Sequence, residues 1–154
     1  MFSNASTLNW KLGCNPEELH IPPSFLFQKA TSGSNGYDLR AMKIVKEDND
    51  IIMFDTFVKV QIPRGYVGDL HSRSSLHKKG LYLANGVGVI DSDYRDNIMF
   101  VFFKKENFED SFPILGDRVG QLVVKKCYEG NVSYVSDFIE EENIERTGGF
   151  GSTG

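Results

Sequence analysis

Glycine and proline divide this chain into short runs of strand-forming residues, and that division constrains its fold most. The longest uninterrupted apolar run, residues 98–103, has six residues. Short runs rich in β-branched and aromatic residues, bounded by turn residues, are typical of β-strands. The 15 glycines and 12 phenylalanines also favour strands and turns over helices. At 154 residues the chain is expected to form one all-β domain, built as a sandwich, a jelly roll or a small barrel.

The pattern of these runs predicts the positions of the strands. Residues 98–103 are all apolar, which predicts a strand buried on both faces. Segments 81–84 and 87–90 flank a glycine-containing turn, which predicts a hairpin. One short helical turn is expected at residues 75–79, capped by Ser72 or Ser74 and ended by Gly80. Further strands are expected at residues 24–30, 37–41, 51–62, 67–71, 119–124 and 134–139.

The chain is expected to contain three regions. Residues 1–23 include Pro16, Pro22 and Pro23 and are interpreted as an irregular N-terminal extension. Residues 24–139 form the predicted β domain. Residues 140–154 begin with an acidic run and end in a glycine-rich segment, which predicts a flexible C-terminal arm.

Charge and cysteine content exclude several classes of function. The net charge of −4 gives no electrostatic reason to expect binding to nucleic acid or to an anionic membrane. The two cysteines do not form a disulfide framework, and His20, His71 and His77 lack the spacing of metal ligands, so the histidines are interpreted as structural. Neither a secretory signal nor a membrane span is expected. We expect a soluble, intracellular protein, in the cytoplasm or, if the source is viral or eukaryotic, in the nucleus of a host cell.

The stretch from Asn85 to Arg95 has more functional groups than a plain hairpin needs. Its glycines permit a tight turn and the close approach of a flat ligand, whose edge can pair with exposed backbone groups. Asp91, directly after the expected strand, has the chemistry of a general base. The alternative is a tight hairpin followed by solvated charges.

Other stretches carry groups suited to an anion or a metal. Residues 72–76 combine hydroxyls with an arginine at a helix start, which favours phosphate, although a serine-rich cap with a solvated arginine is equally compatible. Gln121 can donate to a phosphoryl oxygen, and Asp117 and Arg118 can pair to hold the preceding turn. Asp38 can cap a turn or orient metal-bound water.

The C-terminal segment contains a single aromatic residue, Phe150, among glycines. As a lid it can stack on an aromatic ligand while Ser152 and Thr153 bind oxyanions. The alternative is a disordered C-terminus.

Taken together, five of these stretches resemble the five motifs of the trimeric dUTPase family, in the family's order. The resemblance extends from about residue 33 to residue 154. It implies a jelly-roll-like, distorted β-barrel of the dUTPase β-clip type, and a homotrimer whose active sites lie at subunit interfaces and are closed by a C-terminal arm. The stretches are Gly-Tyr-Asp-Leu at 36–39, Arg-Ser-Ser-Leu at 73–76, Gly-Val-Ile-Asp-Ser-Asp-Tyr-Arg at 88–95, Gly-Asp-Arg-Val-Gly-Gln-Leu at 116–122 and Gly-Gly-Phe-Gly-Ser-Thr-Gly at 148–154.

The resemblance implies hydrolysis of dUTP to dUMP and pyrophosphate with Mg²⁺ on the triphosphate, which supplies dUMP for thymidylate synthesis and keeps uracil out of DNA. It implies that Asp91 activates the water that attacks the α-phosphorus, that Asp38 acts on the Mg²⁺ shell through water, and that Tyr94 leaves no room for a 2′-hydroxyl. Implied phosphate contacts are Arg73, Ser74, Ser75, Gln121, Arg146, Ser152 and Thr153. Implied uracil and deoxyribose contacts are Asn85, Gly86, Val87, Gly88, Val89, Tyr94, Phe150 and Gly151.

The chain departs from the family pattern at a few positions. Arg146 precedes Gly-Gly-Phe by one residue fewer than is usual, and Asp96 stands where glycine is usual. The related dCTP deaminases carry a catalytic glutamate at the position of Val101 and lack the arm, so deamination is not expected. The remaining alternative is a dUTPase-fold protein that chiefly holds a partner, through residues 1–23 and the charged insertion at 104–110.

Overall fold

The computed structural model describes residues 6–106, 115–139 and 148. In these ranges ten strands form two five-stranded antiparallel sheets, so the predicted all-β fold is confirmed. Three 3₁₀ turns cover Pro16–Glu18, Pro23–Phe25 and Leu76–Lys79, and the last is the predicted helical turn. The strands are β1 (Asn9–Leu12), β2 (Phe27–Lys29), β3 (Gly36–Arg40), β4 (Lys43–Glu47), β5 (Ile51–Gln61), β6 (Tyr66–Ser72), β7 (Leu81–Leu83), β8 (Gly88–Ile90), β9 (Asn97–Lys104) and β10 (Arg118–Lys126).

The two sheets enclose one apolar core. Sheet 1 has the order β1-β5-β9-β7, with β4 also paired to β5, and sheet 2 has the order β2-β3-β10-β6-β8. Because side chains alternate along a strand, each sheet turns one set of residues inward. The inward set includes Phe54, Phe100 and Phe102 from sheet 1 and Leu39 and Leu122 from sheet 2, all fully buried.

The predicted helical turn ends at Gly80, whose φ of 67° suits glycine.

Residues 81–90 pass from one sheet to the other, so the predicted hairpin is wrong. β7 pairs with β9 in sheet 1, whereas β8 pairs with β6 in sheet 2. Gly86, at a φ of 66°, turns the chain between them, and its N–H donates to the oxygen of Leu83 at 3.0 Å. The glycine pattern predicted the turn, but it carries no information on the partners of the strands, which depend on contacts distant in sequence.

β9 is buried on one face only, which corrects the prediction for residues 98–103. Ile98, Phe100 and Phe102 are in the core, but Met99 is 37% exposed and Phe103 52% exposed. In a two-layer structure the second face of a strand points away from the core, so an apolar run alone does not ensure burial on both faces within one chain.

Part of the N-terminal extension is a regular strand, not irregular as predicted. β1 pairs with β5 from Asn9 opposite Gln61 to Leu12 opposite Val58. The N–H of Gly13 then donates to the oxygen of Phe57 at 2.8 Å. A four-residue strand is at the lower limit at which alternation can be recognised in a sequence.

The segment after β10 has no strand in its described part. The strand predicted at 134–139 is absent, and Tyr134 and Phe138 are 96% and 88% exposed. Apolar residues predicted the strand, but pairing needs a neighbouring strand that this part of the chain does not provide. The predicted arm, residues 140–154, lies outside the described residues apart from Gly148. Across the described ranges, no helix has the length and apolar character needed to cross a bilayer.

Candidate active site

One row of polar side chains crosses the outward face of sheet 2. Asp38 on β3 lies opposite Gln121 on β10, and Gln121 lies opposite His71 on β6. Residues directly opposite one another share a face of the sheet. Their neighbours Leu39 and Leu122 point into the core, so this row faces outward.

The row forms the floor of a cleft of about 610 Å³, which we call the Arg73 cleft. It combines residues from three separate stretches of the sequence, namely Asp38, Arg73 with Ser74, and Gln121. A guanidinium, hydroxyls and an amide that converge in this way suit an anion with several oxygens. The lining residues are Ala30, Asp38, His71, Ser72, Arg73, Ser74, Gln121 and Val123.

Asp38 is buried and ion-paired. Its Oδ2 accepts a hydrogen bond from Nη1 of Arg118 at 3.0 Å. Arg118 lies opposite Arg40, two positions from Asp38 on the same face of β3, so the two side chains meet diagonally. Arg118 thus pairs with Asp38 and not, as predicted, with Asp117. Asp117 forms an ion pair with Lys79 at 3.5 Å.

A second, smaller cleft of about 330 Å³ adjoins the first, and we call it the Gly86 cleft. Residues Ser72, Arg73 and Ser74 line both clefts, and Gly86 from the turn between β7 and β8 lines the second. The predicted phosphate-binding and base-binding stretches therefore adjoin at this point. The cap position of the 3₁₀ turn was predicted for Ser72 or Ser74, but Ser75 occupies it. Ser75 is exposed, and its side chain makes no capping hydrogen bond.

The residues around β8 are largely accessible. Asp91 is exposed, and Val87 and Val89 are exposed while Gly88 is buried. A Cβ at Gly88 would lie 3.1 Å from Cβ of Leu70, so the backbone of β8 lies close against β6. This arrangement leaves the edge of the turn free to contact a ligand.

Tyr94 is anchored by its hydroxyl, which donates to the backbone oxygen of Asn97 at 2.8 Å. Burial raises the pKa of Tyr94, and the nearby carboxylates of Asp96 and Asp55 raise it further. Because the phenol stays protonated over the ordinary pH range, it remains a hydrogen-bond donor.

A single chain does not bring Asp91 to the Arg73 cleft. Ile90 lies opposite Gly68 on β6, so Asp91, the next residue, continues towards Val67, and Arg73, directly after β6, is six residues from Val67. At about 3.3 Å per residue the backbones are about 20 Å apart. An arginine side chain cannot span that separation.

The cleft also contains a residue that the sequence interpretation left out. His71 lines the cleft, although this residue was interpreted as structural. The two-residue spacing of His71 and Arg73 could have indicated that His71 lies beside Arg73, because side chains two residues apart share one face of a strand. The described residues contain no cluster of three or more His, Cys, Asp or Glu side chains suited to a metal. The predicted contacts that lie outside the described residues are Arg146, Phe150, Gly151, Ser152 and Thr153.

Comparisons with known proteins identify the same family. A family model described as dUTPase matches residues 23–154. The deoxyuridine 5′-triphosphate nucleotidohydrolase of Pseudomonas fluorescens is 39% identical over 137 residues, covering 82% of this chain and 85% of the relative. The enzyme of the same name from Escherichia phage T5 is 41% identical over 134 residues, covering 82% of each chain.

Solved structures share the fold. A mutant dUTPase of Staphylococcus bacteriophage 80alpha, determined with dUpNHpp, superposes with a TM-score of 0.73 at 25% identity, covering 96% of this chain and 98% of that one. A mutant dUTPase of phage phi11 of S. aureus, described with a structural Mg(II) ion, gives a TM-score of 0.67 at 24% identity and covers 87% and 99% of the two chains.

Proposed function

Because the chain belongs to the dUTPase family, we propose that it hydrolyses dUTP to dUMP and pyrophosphate. The observation that carries this proposal is the Arg73 cleft, in which residues of the first, second and fourth motifs meet. The turn at Gly86, directly before the third motif, lines the adjoining cleft. An oxygen-rich anion and a flat base can thus be bound side by side.

The residue roles follow from the chemistry of each group. Asp91 activates the water that attacks the α-phosphorus, since a carboxylate is a suitable general base. Phosphoryl transfer depends mainly on positioning and on neutralisation of charge. Arg73, Ser74, Ser75 and Gln121 supply donors to the phosphate oxygens.

Uracil is recognised by the backbone of residues 85–89, and the deoxyribose packs on Tyr94. The turn is accessible, and Gly86 and Gly88 allow a flat base to approach the backbone closely. Cytosine presents the opposite donor and acceptor at two positions, so it would leave buried polar groups unpaired. The enzyme therefore rejects dCTP.

The active site is shared between copies of the chain. Asp91 and Arg73 are about 20 Å apart on one chain, whereas both must reach the phosphates of one substrate. A second copy must bring its own Asp91 to the Arg73 cleft of the first. This requirement supports a homotrimer with sites at subunit interfaces.

The outward face of sheet 1 has the apolar surface that such an assembly needs. Ile51, Phe103 and Tyr82 lie side by side across β5, β9 and β7. Phe103 and Tyr82 are 52% and 49% exposed, and Met99 extends the surface towards the loop that carries Asp91. Adjoining exposed apolar side chains mark association surfaces, and burial in the trimer would account for the fully apolar sequence of this strand.

The residues of the Arg73 cleft fit Mg²⁺ bound mainly by the substrate. Mg²⁺ typically binds one or two carboxylates together with phosphate oxygens and waters, and Asp38 is the carboxylate that lines the cleft. Asp38 would hold the ion through water, with its orientation set by Arg118. When bound, the ion neutralises charge on the triphosphate.

The C-terminal arm closes the site. Phe150 and Gly151 cover uracil, and Arg146, Ser152 and Thr153 contact the γ-phosphate. Stacking on a base and hydrogen bonds to phosphate are the chemistry these residue types provide.

Release of pyrophosphate from dUTP, dCTP, dTTP and UTP, compared side by side with Mg²⁺ and with a chelator, tests the proposal. We expect release from dUTP alone and its loss on chelation. Light scattering on the same sample should give the mass of three chains. Release from none of the nucleotides by the folded trimer would refute the proposed activity and favour a partner-binding role.

A further inference from the structure

Three of the four buried polar residues in the described chain lie together, away from the Arg73 cleft. They are Asp55, Thr56 and Asn97, which join β5 to the start of β9. Nδ2 of Asn97 donates to both carboxylate oxygens of Asp55, at 3.0 and 2.9 Å. Because buried polar groups are costly unless they are hydrogen-bonded, such a cluster specifies the positions of its members.

The cluster occupies a break in the ladder between β5 and β9. The register shifts between Asp55 and Lys59. Within the break, Phe57 has a φ of 60°, the only positive value for a non-glycine residue in the described ranges, and its N–H donates to Oδ1 of Asp55 at 2.8 Å. Side-chain bonds therefore hold the start of β9 where backbone pairing is interrupted.

The N-terminal segment forms the other side of this cluster. Nδ2 of Asn97 also donates to the backbone oxygen of Gly13 at 2.9 Å. A Cβ on Gly13 would lie 1.9 Å from Oδ1 of Asn97, so only glycine leaves room for this amide. Oδ1 itself is buried and has no hydrogen-bond partner among the described residues. The amide is thus confined between Gly13 and Asp55.

The cluster continues directly to Tyr94. The hydroxyl of Tyr94 donates to the backbone oxygen of Asn97, the residue whose side chain Asp55 and Gly13 hold. A substitution at Asn97 keeps this backbone acceptor. Any effect on Tyr94 must therefore arise from displacement of the acceptor.

We propose that Asp55, Asn97 and Gly13 position the ring of Tyr94 and thereby set how strongly the site discriminates against a ribonucleotide. The inference rests on the proposed function, in which Tyr94 packs on the deoxyribose. Exclusion of a 2′-hydroxyl is steric, so a small displacement of the ring makes room for it, and misplacement of a positioning group by about 1 Å has large kinetic effects. These three are positioning residues that lie outside the five motifs.

The test is the ratio of kcat/KM for dUTP to kcat/KM for UTP. In Asn97→Ala we expect the ratio to fall roughly tenfold, the scale of one buried hydrogen bond. Tyr94→Phe should lower it similarly. The double variant should lose little more than the larger single effect, because residues that act through one contact are not additive.

Further variants separate positioning from a general loss of stability. Gly13→Ala and Asp55→Asn disturb the cluster from two other sides and should lower the same ratio. Thr56→Val serves as the matched control, since Thr56 is buried beside the other two residues but its side chain bonds to none of Asn97, Asp55 and Gly13. Its hydroxyl donates to the oxygen of Ile98 at 2.8 Å and accepts from the N–H of Val58 at 3.3 Å. Thr56→Val should lower the melting temperature and leave the ratio unchanged.

An unchanged ratio in folded Asn97→Ala and Gly13→Ala, or fully additive effects with Tyr94→Phe, would overturn the proposal. A wild-type protein that does not hydrolyse dUTP would instead refute the proposed function. In that case the hydrogen bond between Tyr94 and Asn97 is tested by spectrophotometric titration of the tyrosines. The difference from Tyr94→Phe identifies the signal of Tyr94. Displacement of the backbone acceptor in Asn97→Ala should expose the hydroxyl of Tyr94 to water and lower its pKa, because burial is the main cause of the raised pKa. An unchanged titration would overturn the inference.

Discussion

Two inactive variants should restore activity when they assemble together. Asp91→Asn removes the proposed general base, and Arg73→Ala removes a proposed phosphate contact. The two residues are about 20 Å apart on one chain. A site formed by two chains can take Asp91 from one variant and Arg73 from the other. In a trimer assembled at random from equal amounts, each residue is intact at a given site with a probability of about one half, so about a quarter of the sites recover.

The assay is pyrophosphate release from dUTP after the two variants are unfolded and refolded together. Wild-type protein treated in the same way is the reference, and native mass spectrometry confirms that mixed trimers are present. A matched control combines Arg73→Ala with Gln121→Ala. Both residues line the same cleft of one chain, so this mixture should recover nothing. Mixed trimers of the first pair with no more activity than either variant alone would refute the shared site.

Three further predictions concern single residues. His71→Ala should raise KM for dUTP roughly three- to tenfold with little change in kcat, because His71 lines the phosphate-binding cleft; an unchanged KM in steady-state assays would contradict this. The backbone N–H of Ile51 holds the pKa of Asp48 below its usual range, so Asp48 stabilises the fold above about pH 4, and this contribution is lost as the pH falls through the lowered pKa. Asp48→Ala should therefore lower the melting temperature at pH 7 and match wild type at strongly acidic pH, and an equal deficit at both would refute the assignment. Cys127 is exposed, whereas burial raises the pKa of the half-buried Cys14, so a thiol reagent should modify Cys127 first, and Cys127→Ser should abolish the fast phase.

Local patterns in the sequence were sufficient to predict most of the elements. The apolar and β-branched content of residues 51–62 and the turn residues after them predicted β5 and its end. The helical turn at Leu76–Lys79 followed from polar residues before it and Gly80 after it. Period and turn propensity depend on a few neighbouring residues, so a single sequence contains this information. The order of the five motifs was likewise sufficient to indicate the family.

The partners of each strand could not be obtained in this way. The alternation in residues 81–90 is the same whether β7 and β8 pair with each other or with strands of two different sheets. The predicted hairpin failed for this reason, as did the irregular N-terminal extension, because β1 is too short to be recognised without its partner β5. Strand pairing depends on contacts that are distant in sequence.

The same distinction between local sequence and long-range packing applies to the functional residues. The motifs identified Asp38, Arg73 and Gln121 as candidates, because their residue types and order are visible along the chain. Only strand register shows that these three residues share a cleft, and that Asp91 lies about 20 Å from Arg73 on the same chain. The bond network at Asn97 has no sequence signal either, since it joins segments more than 40 residues apart at a break in a ladder. Composition and periodicity thus determine which elements form, whereas long-range packing determines which side chains meet.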